Sequence, residues 1–98
     1  MASRTITTTA ETLIPRNKLR KSLIFQNEDT TINVFIKQER EPNTTVSTTD
    51  HDHRITSGST LDMTIETDGK QAVQERWTIV AASGTPRISF FETEDVER

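Results

Sequence analysis

Cysteine is absent from this chain, which removes disulfide staples and thiolate metal sites and argues against the small secreted scaffolds that depend on them. Long apolar runs are absent too. Nothing approaches the ~20 residues needed to cross a bilayer, and Met1-Ala2-Ser3-Arg4-Thr5 lacks the apolar centre of an export signal, so the sequence reads as a cytoplasmically made protein with no membrane partner. Positive charge of any reach is missing: the formal net charge is -3, which gives no field for phosphates and sets nucleic acid aside as a partner. Aromatic residues make up only 5%, and the apolar fraction is 31%, against a usual ~45–50% that also counts glycine. The core is therefore small, and contact with a neighbouring copy is a natural way to bury more surface. Helical periodicity sustained over ten residues is lacking as well.

What is present points to strands. The 98 residues suffice for one domain, and 18 of them are threonine, a β-branched polar residue suited to the wet face of a sheet. Leu23-Ile24-Phe25 opens a run closed by Asn27-Glu28-Asp29, after which Ile32, Val34 and Ile36 alternate with Asn33, Phe35 and Lys37. The two runs read as an antiparallel pair with a short turn. From Gln38 to about His53 the chain is polar, with Pro42 and only Val46 as an apolar anchor, and reads as a long loop or a solvated edge hairpin. Leu61, Met63 and Ile65 alternate with Asp62, Thr64 and Glu66 as a half-buried strand that the Asp68-Gly69 turn would end. Trp77, Ile79 and Ala81 share a strand face, with the tryptophan expected in the core. Ser83-Gly84-Thr85 would then turn the chain into a hairpin with Arg87–Phe90.

The fold class that follows is all-β: a small antiparallel sandwich or partly open barrel of about six to eight strands. Residues 1–18 would be an extended N-terminal arm or an edge strand, 19–92 the sandwich, and 93–98 an acidic tail.

The order of Arg20-Lys21-Ser22-Leu23-Ile24-Phe25-Gln26-Asn27, Ser57-Gly58-Ser59-Thr60-Leu61, a strand opening at Trp77, Ala82-Ser83-Gly84-Thr85 and a strand ending in Phe91-Glu92 resembles small β domains of tailed-phage virion proteins. The resemblance spans roughly Arg20 to Glu92. It implies a non-enzymatic structural protein of the virion, made in the host cytoplasm, that binds the major capsid protein and decorates or cements the capsid surface as a homo-oligomer, a trimer by preference. The alternative it leaves open is a receptor- or carbohydrate-binding module of a tail or fibre. The long polar loop and the threonine-rich N-terminus depart from the pattern.

Chemistry-bearing residues are few. His51-Asp52-His53 places two imidazoles on one side of an extended chain, too few ligands for a closed metal site without help from other copies. Asp62 with Glu66 is an acid pair of the kind any wet strand face supplies. No serine lies in a nucleophile elbow and no glycine-rich stretch opens a helix; Asn43-Thr44-Thr45 fits a glycosylation sequon without an export signal to use it. No cofactor, metal or catalytic residue is expected. The basic group Arg16, Lys18, Arg20 and Lys21 would orient the protein on an acidic surface. Arg20, Lys21, Phe35 and Phe91 are the candidate partner contacts, the two phenylalanines because each faces away from the other apolar residues of its strand.

Overall fold

Among the described residues the alternating segments resolve into eight strands: β1 (Ala2–Thr5), β2 (Glu11–Ile14), β3 (Arg20–Asn27), β4 (Val34–Gln38), β5 (His53–Ile55), β6 (Thr60–Thr64), β7 (Trp77–Ala81) and β8 (Arg87–Glu94). The structure, a computed structural model, describes residues 2–38 and 45–94; Pro42, Asn43 and Thr44 of the polar loop and residues 95–98 of the tail lie outside the described residues. The strands build two four-stranded antiparallel sheets, one in the order β1-β8-β3-β6 and the other β2-β7-β4-β5. The all-β sandwich expected from composition is what the chain forms.

The connectivity differs from the expected pair of hairpins. β3 lies between β8 and β6, and β4 between β7 and β5, so β3 and β4 sit in different sheets; β7 and β8 are separated in the same way. Among the seven connections only β4–β5 stays within one sheet. The chain is thus a long ribbon, with β4 against β5, β3 against β6, β2 against β7 and β1 against β8, wrapped so that successive segments fall on opposite sheets. This is the double-sheet jelly roll. Period-two alternation specifies which residues face inward and says nothing about which strand lies alongside.

Local chemistry makes the crossings. The buried Asn27 side chain donates to the carbonyls of Ile32 and Ile55 at 2.8 and 3.0 Å while accepting from Asp29 N–H at 3.0 Å. Asp29 in turn accepts from the N–H groups of Thr31 and Ile32 at 2.8 and 2.9 Å, and these bonds hold its carboxyl below its ordinary pKa. The two crossings meet: Ala82 N–H donates to Asn33 O at 3.1 Å and Glu28 N–H to Arg87 O at 2.9 Å. Gly84, at φ 59°, lies so close that a Cβ there would sit 3.0 Å from Ile32 Cδ1.

A helical segment, α1 (Ile65–Gln74), stands where a strand end and a tight turn were expected; Gly69, at φ 88°, breaks it. Thr64 ends β6 and caps the helix, its Oγ1 accepting from Thr67 N–H at 3.3 Å while Asp68 returns to Thr64 N–H at 3.0 Å. Ile65 therefore packs on the core from a helix, and Asp62 and Glu66 do not share a strand face. The N-terminal segment forms two edge strands, and Ile6, Leu13 and Ile14 join Leu23, Phe25, Val34, Ile36, Trp77, Ile79 and Ile88 in the core. Arg4 bridges the two edges by donating to Thr12 O at 2.8 Å and pairing with Glu11 at 3.1 Å. Trp77 is buried as expected, edge-on to Phe25, and its Nε1 donates to Ala72 O at 2.8 Å.

Candidate functional site: a basic tip with an exposed leucine

The β2–β3 connection, residues 15–19, lies at the same end of the sandwich as α1. Arg20, the first residue of β3, builds it. This side chain is 1% exposed, and its guanidinium donates to Val73 O (2.9 Å), Glu75 O (3.3 Å), Pro15 O (2.7 Å) and the Glu92 carboxylate. A buried cation is tolerated only when its donors are satisfied, and here they tie the connection, the end of α1 and β8 into one body. Asn17 completes the frame. Its backbone N–H donates to Gln74 O at 2.9 Å, its Oδ1 accepts from Leu19 N–H at 3.0 Å, and its Nδ2 donates to Glu94 at 2.7 Å.

That frame holds an unusual side chain in solvent. Leu19 is 55% exposed, more than any other large apolar residue among those described. Around it Lys18 and Lys21 are exposed and have no ion-pair partner among the described residues; Arg16 is exposed and reaches Glu75 at 3.6 Å. Lys21 is pushed outward by a register shift between Arg20 and Ser22. An apolar anchor among exposed cations on a hydrogen-bonded turn suits an acidic surface with an apolar recess: the charges steer the approach, and the leucine supplies the desolvated contact.

The four candidate contacts separate. Lys21 and Phe91 lie at the surface, Phe91 being 43% exposed on the outer face of the β1-β8-β3-β6 sheet. Arg20 is interior, a builder of the tip whose guanidinium faces no solvent. Phe35 points away from the main core as expected and is nevertheless 8% exposed, because the 45–52 segment folds back over it. Val46, Val80 and Ala10 pack with it, and the His51 ring lies tilted against it, with ring centroids 4.6 Å apart. Lys37 Nζ to Asp50 at 2.8 Å, Gln38 N–H to Asp52 at 2.8 Å and Asp52 N–H to Ile36 O at 2.9 Å clasp that segment to β4. His53 lies against Trp77, with ring centroids 5.9 Å apart. Among the described residues no three His, Asp or Glu side chains converge as a metal site would require.

Leu19 escaped the sequence reading because nothing in Asn17-Lys18-Leu19-Arg20 distinguishes an outward leucine from the first core residue of a strand. The available signal was Pro15, which ends β2 and places the next residues in a turn. No family model, no curated protein and no solved structure matches this chain.

Proposed function

We propose that this protein is a capsid-decoration module of a tailed phage, docking its basic tip on acidic surface of the assembled shell. The observation that carries the reading is Leu19, exposed on a turn pinned by hydrogen bonds at Pro15, Asn17 and Leu19, beside Lys18 and Lys21. A single exposed leucine is ordinary by itself; what supports the reading is its place on a pinned turn between two lysines without an ion-pair partner among the described residues, where it would supply an apolar anchor inside a basic patch. The resemblance of the Arg20–Glu92 segments to virion β domains supports the major capsid protein as the partner, and the jelly roll is an architecture shared by capsid and lectin domains, which supports the reading by analogy only.

One turn covers far less than the ~800 Å² per partner of a standard interface. Affinity would then come from repetition: a trimer engages several neighbouring shell subunits at once, and weak tips add through effective concentration. The test is binding of the purified protein to mature and to precursor heads, with wild type compared to Leu19→Ser and to Lys18→Glu/Lys21→Glu. Saturable binding to mature heads, weakened at least tenfold by either variant, supports the reading; no binding, or binding indifferent to both variants, refutes it.

A further inference from the structure

The second exposed apolar residue has different surroundings. Side chains alternate across a sheet, so Phe91 shares its face with Thr93, with its cross-strand partner Ile24, and with Ser22 opposite Thr93; Thr64 of β6 lies beyond Ser22. Toward the α1 end this face dips into a cavity of about 360 Å³ lined by Lys21, Ser22, Thr64, Ile65, Glu66 and Thr93. Phe91 is outside that lining and stands two residues from Thr93 along β8, on the same face.

We propose that this cavity and the Phe91 ring form a binding site for a neutral carbohydrate, with one sugar ring laid against Phe91 and its hydroxyls directed into the cavity. The volume falls within the ~300–1,000 Å³ of small-molecule sites, enough for one or two sugar rings. Charge selects against ions: the lining carries one cation, Lys21, and one anion, Glu66, and neither has an ion-pair partner among the described residues, so neither an anion nor a cation gains net attraction. Hydroxyls select for hydroxyls. The Ser22 and Thr93 groups share one hydrogen bond at 2.5 Å, which leaves one hydroxyl proton and several lone pairs for a ligand that both donates and accepts; Thr67 donates to Asp68 at 2.9 Å, so the 2.7 Å bond takes the Thr64 proton and leaves that oxygen an acceptor only. Lys21 and Glu66 offer a donor and an acceptor in addition.

The opposite sheet supplies the control within the molecule. Phe35 pairs with Val80 across β4 and β7 as Phe91 pairs with Ile24 across β8 and β3, and there the chain covers the pair with Val46 and Ala10. Among the described residues nothing covers Phe91.

The site shares Lys21 with the docking tip but needs no shell, and it stands or falls on the isolated protein. The experiment is an amide-resolved NMR titration of the full chain with the methyl glycosides of glucose, galactose, mannose and N-acetylglucosamine, and with sialic acid as the charged comparison. A single ring should bind with Kd of about 1–10 mM, the range that so few atoms support, with shifts confined to residues 20–24, 62–66 and 90–94. Phe91→Ala should weaken binding at least tenfold while the spectrum stays folded. Thr64→Ser, which keeps the hydroxyl, should bind like wild type. Absence of saturable shifts for every neutral glycoside, preference for sialic acid, or binding unaffected by Phe91→Ala overturns the proposal.

Discussion

Leu19 and Phe91 are the two large apolar side chains left in solvent among the described residues, and their neighbours differ in kind. Leu19 stands on a turn among cations, with a buried arginine beneath it; Phe91 stands on a sheet among hydroxyls, with a ladder of backbone bonds beneath it. The contrast teaches how one small domain addresses two partners. A turn surrounded by cations is steered over distance and suits a protein surface, whereas a hydroxyl-rich sheet face whose cavity balances Lys21 with Glu66 recognises at contact and suits a polyhydroxylated ligand. Phe35 adds a third case, an outward aromatic that the chain itself covers.

Because the tip hangs on one side chain, Arg20→Met should break the comparison most severely. Three backbone carbonyls and Glu92 lose their donor, and the domain should lose about 3–5 kcal/mol, read as a shift in urea midpoint at unchanged m-value. Next comes the contrast between covered and uncovered aromatics. Phe35→Ala should cost about 3 kcal/mol, since it empties a buried site, and Phe91→Ala less than about 1 kcal/mol, both measured by thermal unfolding. Lifting the cover instead of removing what it covers, Val46→Ser should cost about 1–2 kcal/mol and raise binding of a hydrophobic dye. If Phe91→Ala proves as destabilising as Phe35→Ala, the distinction between the two faces fails.

Much of the sandwich was legible. Leu23 and Phe25, Val34 and Ile36, and Trp77 and Ile79 alternate into the core as their spacing requires, and Phe91 stood out because it breaks that alternation. The partners of the strands were not legible, because Ser83-Gly84-Thr85 turns a chain equally well within a sheet or between sheets; what decides is Gly84 packing on Ile32, a residue some fifty positions earlier. The helix was missed for another reason. Asp68-Gly69 is a sound turn signal, and Gly69 does leave helical geometry, but Thr64 and Asp68 cap a helix around it through side-chain bonds that a period-two reading of Leu61, Met63 and Ile65 overlooks. Arg20 reads as a surface contact because a cluster of basic residues at a strand entrance is usually solvated; its burial depends on acceptors contributed by residues 15, 73, 75 and 92.

Smaller effects sharpen the account further. Lys18→Glu should leave stability unchanged and slow association with heads about three- to tenfold at low salt, a difference that shrinks at high ionic strength. Asp29 supplies the weakest handle. Its carboxyl titrates below its ordinary value because Thr31 and Ile32 N–H groups bind the charged form, so its contribution is present above the unfolded pKa and fades as pH falls through the folded one. Asp29→Asn should flatten the acid limb of the stability–pH curve slightly, as followed by unfolding at a series of pH values.

The most direct test of the central claim, that the Leu19 tip is the docking surface, is the affinity of wild type and Leu19→Ser for mature heads, both verified as folded. The account predicts saturable binding for wild type and at least a tenfold loss for Leu19→Ser, with thermal stability unchanged; equal binding by the two proteins would contradict it.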